Sequence, residues 1–273
     1  MCALLKSILT RLLIQYINNL FYISKFMKLD KIEPKFIDKG NPRIGLITLG
    51  SDFRIEKDFN NVIYGKEIDL FSNRIHCYNP LTNETLKKMA DDITDVTKEI
   101  LPEQKLDCVA YGCTSGTIAA GYSSIHKKVN LAKPNTKVTT PITSAIKALK
   151  KLNINKISVF TPYTDEINQS VAEYFKKENV EVVSLSFFDI ASDLDIGKVD
   201  PDYLFEVLSK IDLSESDALF VSCTALPVLS LIHKLEKKLG KIVLSSNQTL
   251  IWDTLKEINY NKNIEGFGQL FKN

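Results

Sequence analysis

Asp107-Cys108-Val109-Ala110-Tyr111-Gly112-Cys113-Thr114 and Asp217-Ala218-Leu219-Phe220-Val221-Ser222-Cys223-Thr224 decide how this chain is read. Each runs from an acid through a short apolar segment to a small residue and then Cys-Thr, at an offset of 110. Two further pairs fall in the same order. Ile44-Gly45-Leu46-Ile47-Thr48-Leu49-Gly50-Ser51-Asp52 matches Ile157-Ser158-Val159-Phe160-Thr161-Pro162-Tyr163-Thr164-Asp165, and Lys137-Val138-Thr139-Thr140 matches Lys241-Ile242-Val243-Leu244. A period this long is no solenoid. It indicates a duplicated unit, each copy carrying four strands.

Outward from these segments, β-rich apolar runs alternate with helical patterns. Strands are expected at 44–49, 67–71, 106–111, 138–140, 157–160, 180–187, 218–221 and 242–244. Helices are expected at 82–100, 115–128, 142–152, 165–178, 201–210, 225–239 and 248–258. Strands that are apolar throughout and separated by helices predict an α/β fold with parallel sheets covered by helices. The expected organisation is a leader over 1–40, a first lobe over 41–140 plus 241–260, and a second lobe over 141–240. The chain would cross near Pro141 and return near Leu239, its last strand and helix completing the first lobe.

The 273 residues are 44% hydrophobic and 25% charged, with a net charge of +2. This is ordinary for a folded soluble chain and carries no basic footprint for nucleic acid. Residues 1–26 differ: Lys6, Arg11 and Lys25 stand without an acid among Leu, Ile, Phe and Tyr. Their longest uncharged run, Leu12 to Ser24, is shorter than the about 20 residues of a membrane span. A basic amphipathic helix on a membrane surface and a partner-binding or targeting helix are the alternatives. The favoured reading places the segment outside the working domain, which then opens at Met27.

Five cysteines without a CxxC do not make a disulfide framework, and His76, His126 and His233 lack metal-ligand spacing. No metal and no cofactor is expected, and a reducing cytoplasm is the expected location. Cys113 and Cys223 each follow a strand and precede an expected helix. Ligands bind beyond the carboxyl ends of parallel strands, and a helix N-terminus lowers a thiol from about 8.5 towards about 7 or below. Both are therefore candidate thiolates facing each other across one cleft, with Thr114, Ser115 and Thr224 as carboxylate-binding candidates. Such a pair suits a base on one face and an acid on the other, or thiol addition and elimination. Cys108, inside a strand, reads as core. His76 and Cys77 point to opposite faces of a strand and carry little weight.

Gly112-Cys113-Thr114-Ser115-Gly116 and Ser222-Cys223-Thr224-Ala225-Leu226 resemble the Asp/Glu/hydantoin racemase superfamily, in its maleate isomerase and arylmalonate decarboxylase branch. Thr161-Pro162-Tyr163-Thr164, Ser245-Ser246-Asn247-Gln248 and the run ending at Asp52 are most similar to the ectoine-utilisation proteins. The resemblance covers roughly residues 42–256. It implies two pseudo-symmetric Rossmann-like lobes with the site between them, and a cofactor-independent reaction at a carbon beside a carboxylate. Cys113 and Cys223 would be the catalytic thiols. Asp52, Thr114, Ser115, Tyr163, Thr224 and Asn247 would bind substrate. Maleate isomerases carry Asn where this chain has Asp52, and an anion there favours an amine or amide over a second carboxylate. The Cys-Thr-Ser and Cys-Thr-Ala motifs also differ from those of ordinary Asp or Glu racemases. The decarboxylase has Gly in place of the first cysteine.

The expected function is a cysteine-pair racemase or cis-trans isomerase of a small amino or dicarboxylic acid, with a place in ectoine degradation. Maleate isomerase proper and a non-catalytic small-molecule binder are the alternatives; a redox thiol protein is disfavoured. The expected partners are a small carboxylate and further copies of the chain, with no nucleic acid and no stable membrane insertion.

Overall fold

The computed structural model describes residues 2–26, 30–37 and 40–272. They form two compact units, 1–40 and 41–273. In the first, α1 (Cys2–Phe26) is helical, and its adjacent Leu12, Leu13 and Ile14 are all exposed. No described helix is long and apolar enough to cross a membrane. The expected start at Met27 lies outside the described residues.

The second unit opens with β1 (Arg43–Leu49), α2 (Ile55–Ile63), β2 (Asp69–Ile75), α3 (Asn83–Met89), α4 (Ile93–Lys98) and β3 (Cys108–Tyr111). Then come α5 (Thr114–Ala120), α6 (Tyr122–Ala132) and β4 (Lys137–Thr139). After α7 (Pro141–Lys151), the pattern repeats with β5 (Lys156–Thr161), α8 (Asp165–Lys177), β6 (Glu181–Phe187), α9 (Asp193–Ile196), α10 (Pro201–Leu208) and β7 (Ala218–Val221). It ends with α11 (Ile232–Leu239), β8 (Ile242–Ser245) and α12 (Ser246–Glu257). The strands make two four-stranded parallel sheets, ordered β2-β1-β3-β4 and β6-β5-β7-β8.

The sequence repeat is a repeat of register. Ile44 pairs with Cys108 in the first sheet, and their counterparts Ile157 and Ala218 pair in the second. The N–H of Gly112 donates to Ile47 O at 2.8 Å, and the N–H of Ser222 to Phe160 O at 2.8 Å. Both cysteines thus leave equivalent central strands at the same level. The central strands are buried from end to end, as their unbroken apolar runs require.

Five expectations change. Residues 241–260 do not complete the first lobe as a block, because β8 pairs with β7 in the second sheet. Only α12 turns back, to pack on α7, α2, β3 and β4. An edge strand follows its sheet's register, whereas a helix goes where its apolar surface finds cover. Second, α2 was not anticipated, although Ile55, Phe59, Val62 and Ile63 have helical spacing and are buried. Third, the helices expected at 82–100 and 115–128 are each broken, the first by a 3₁₀ turn at Ala90–Asp92 and the second at Gly121, whose φ is +80°. Fourth, the helix expected at 225–239 begins only at Ile232, after a 3₁₀ turn at Leu229–Leu231. Pro227, which lacks an N–H, lies in the irregular stretch. The second strand also runs later than expected, to Ile75, because this edge strand is only half-buried and its apolar pattern is diluted.

Gly112 is needed for close packing. A Cβ there would stand 2.7 Å from Ile55 Cδ1 and 3.1 Å from Ile47 O. Gly112→Ala is expected to cost about 1–3 kcal/mol by overpacking, measured by urea denaturation. Adding Ile55→Val, which removes the Cδ1 in question, is expected to recover part of that loss; a purely additive double variant would refute the clash.

Candidate active site

Cys113 ends the β3 segment and caps α5, with Sγ accepting the N–H of Gly116 at 3.2 Å. Ser115 Oγ lies 3.8 Å from the same sulfur. Cys223 is placed differently. No helix follows it directly, and its φ of +97° is unusual for a residue with a Cβ. Its N–H donates to Ser246 Oγ at 3.0 Å. The expected symmetry of two thiols at helix starts therefore holds for the first lobe only.

The two cysteine loops are tied together. Thr114 Oγ1 donates to the same Ser246 Oγ at 2.8 Å, and Thr224 Oγ1 donates to Gly112 O at 3.1 Å. Ser246 stands at the start of α12, where Ser245 and Gln248 form a capping box. Tyr163 lies beside Cys223 and Ser222, where its side chain favours the Cys223 thiolate. The Thr-Pro-Tyr turn is held by Asn168, which donates to Tyr163 O at 3.1 Å and accepts from Thr161. Asn247 Nδ2 donates to Asp58 Oδ2 at 2.7 Å and to Thr224 O at 2.9 Å. Asp52 Oδ1 accepts the N–H groups of Arg54 and Ile55, at 2.6 and 3.0 Å. All eight residues singled out from the sequence are buried, and they lie in or beside these linked loops.

The thiols are not acidic. Burial pushes both Cys113 and Cys223 well above the ordinary thiol value, and the nearby carboxylate of Asp193 adds to it. The N–H of Gly116 pulls Cys113 down but does not win. The expectation of resting thiolates is thereby corrected: desolvation outweighs the helix start, and the charges acting on the sulfurs are negative.

Several residues at the site were missed. Asp193 acts electrostatically on both thiols and on Asp52, and it accepts Ser51 Oγ at 2.5 Å from the other lobe. Asp58 and Ser246 orient Asn247 and the cysteine loops as described. Cys77 is half-buried beside Ser51, and burial raises it to about 11. Its position beyond the carboxyl end of β2 was the available signal, the same one that marked Cys113. Its neighbour His76 instead packs edge-on against Tyr78, centroids 4.5 Å apart. Cys108 is fully buried in β3, as core. Among the described residues, no group of three or more His, Cys, Asp or Glu is placed to hold a metal ion.

Burial raises Asp52 from 3.8 to about 6 and Asp58 from 3.8 to about 7. Between about pH 4 and about pH 7 the folded chain therefore holds protons that the unfolded chain has released. Their contribution to stability is fully present below the unfolded value and is lost as pH rises through the folded values. Asp58→Asn is expected to lose less stability than wild type across that range in urea titrations at each pH. Parallel profiles for the two proteins would contradict this.

A model of the arylmalonate decarboxylase family matches residues 58–271. The maleate isomerase of Geobacillus stearothermophilus is 29% identical over 244 residues, covering 84% of this chain and 96% of that protein. The crystal structure of the Pseudomonas putida maleate isomerase superposes with a TM-score of 0.78 at 22% identity, covering 84% of this chain and 98% of that one. A mutant of the Nocardia farcinica maleate cis-trans isomerase, solved with a covalently bound succinylcysteine intermediate, also gives 0.78, at 20% identity, over 85% of this chain and 98% of that one. These solved proteins share the fold of two four-stranded parallel sheets. With the family model spanning most of its length, this chain belongs to the arylmalonate decarboxylase family.

Proposed function

We propose that the chain is a cofactor-independent isomerase that acts beside the carboxylate of a small acid through Cys113 and Cys223. The observation that carries this is the bridge between the two cysteine loops through Ser246 and through Thr224 to Gly112. It supports a shared site because Tyr163 interacts with both thiols and Asp193 acts on each of them. Tyr163, Thr114 and Ser115 receive the carboxylate in this reading.

In a racemisation, one sulfur as thiolate takes the α-proton, and the opposite thiol returns a proton to the other face. In a cis-trans isomerisation, the Cys113 thiolate adds to one alkene carbon while Cys223 protonates its neighbour. Rotation about the resulting single bond and elimination then give back the thiolate, the thiol and the isomer. Both routes need one sulfur ionised. The relatives named maleate isomerase, and the succinylcysteine adduct of one such protein, support the second route. Retention of both cysteines argues against decarboxylation of the one-cysteine kind. A place in ectoine breakdown rests on the motif resemblance alone.

The neutrality of both resting thiols favours one alternative, a small-molecule binder without turnover. One experiment separates them: incubation with maleate and a panel of amino acids in deuterium oxide, followed by proton NMR. Turnover of maleate, or loss of an α-proton signal, is expected. It should fall roughly 10²- to 10⁴-fold in Cys113→Ala and in Cys223→Ala. No turnover in wild type, with ligand binding that survives both substitutions, would leave the binding protein.

A further inference from the structure

Two acceptor atoms at the site have no donor: Asp52 Oδ2 and Asn247 Oδ1. Both side chains are buried, each 2% exposed. Their orientation follows from their neighbours. The amide nitrogen of Asn247 places its protons on Asp58 Oδ2 and on the carbonyl of Thr224. A carbonyl can only accept, so the nitrogen must face Thr224 and Oδ1 must face away. Asp52 has one oxygen taken by the start of α2, through the N–H groups of Arg54 and Ile55. Thr224 neighbours the carboxylate, but its hydroxyl proton goes to Gly112 O. Both side chains therefore reach Thr224, the residue after Cys223, Asp52 beside its hydroxyl and Asn247 through its amide nitrogen. A buried acceptor without a donor is costly. A ligand that brings N–H groups removes the cost, whereas a carboxylate brings further acceptors and charge of the wrong sign.

Most of the surrounding charges point the same way; the exception is Arg54, whose Nε also lacks a partner. Asp193 and Asp58 act on Asp52 as like charges, or share such an interaction with it. Arg54 is the cation acting on Asp58, and its Nη2 is turned to Gly197 O at 3.3 Å.

We propose that Asp52 Oδ2 and Asn247 Oδ1 form the pole of the site that receives a protonated amine, so that the substrate is a small amino acid, and that Asp58 is the positioning residue that turns Asn247. This rests on the two-thiol site being the place where substrate binds, and it names the class of that substrate. A carboxylate at the Tyr163 side and an ammonium at the Asp52 side would span the thiols.

Calorimetric binding tests this without turnover. Succinate and 4-aminobutyrate share a four-carbon skeleton and differ in one terminal group; 3-aminopropionate shortens the span. Wild type is expected to bind one of the two amino acids at least tenfold more tightly than succinate. That affinity should rise between pH 5 and pH 8, as Asp52 gives up its proton. Asp52→Asn keeps the oxygen that caps α2, and its melting temperature checks that it folds. It should weaken the amino acid roughly tenfold to a hundredfold and gain affinity for succinate. Asp58→Asn retains an acceptor for Asn247 and should bind as wild type does, whereas Asp58→Leu should not. Succinate binding wild type as well as or better than both amino acids, or neither class binding, would overturn the proposal, as would an equal loss of both ligands in Asp52→Asn. Asp52-dependent amino acid binding with neither deuterium exchange nor maleate turnover would keep this inference and remove the isomerase reading, so the two can fail separately.

Discussion

The hydroxyl of Ser246 holds the site together. It accepts from Thr114 in one cysteine loop and from the backbone of Cys223 in the other. Two sheets from a duplicated unit need not bring their equivalent loops into contact. Here they do, because the first residue of α12 is shared between them. The cap at Ser245 and Gln248 sets the start of that helix, and the body of α12 packs on α7 and the first sheet. A set of polar contacts fixes that packing: Ser144 Oγ and Lys147 Nζ donate to Asp253 at 2.8 and 2.9 Å. Thr139 and Thr254 meet at 2.7 Å. The helix that belongs to one sheet in sequence is thus anchored on the other, and its N-terminus reaches both cysteine loops.

Burial also governs the chemistry. It neutralises both thiols and raises Asp52, Asp58 and Asp193 together. A site with this balance holds carboxylates raised above their ordinary value, Asp52 and Asp58 to about 6 and about 7, and keeps its nucleophiles protonated. Ionising a sulfur there requires a neighbouring group to take its proton, or a bound positive charge to offset the sulfur's own. An ammonium-bearing ligand would supply such a charge. The acids that press on the sulfurs would also bind it, which couples recognition to activation in one set of groups.

Much of this fold was legible because its information is local or periodic. The strands at Ile44, Cys108, Ile157 and Ala218 read as apolar runs, and the repeat in sequence became a repeat in hydrogen-bond register. The eight site residues named from motifs all lie buried in or beside the linked loops. What escaped was of another kind. The breaks at Gly121 and before Ile232 depend on backbone geometry at single residues. The second-sheet place of β8 depends on which edge was free to pair. Asp193 and Ser51 are unremarkable in sequence and, like Cys77, reach the site only because two distant loops converge.

By itself, the sequence determined the duplication, the parallel sheets and the placing of a Cys-Thr pair beyond each central strand. Those are consequences of side-chain periodicity and chain order, which each segment carries within itself. Only the tertiary structure decided that the thiols rest neutral, that α12 is exchanged between lobes, and that two acceptors are left unpaired at the site. Each of these is a sum over neighbours far apart in the chain. Desolvation, electrostatic interaction and hydrogen-bond satisfaction are properties of an environment, and the environment exists only once the chain has folded.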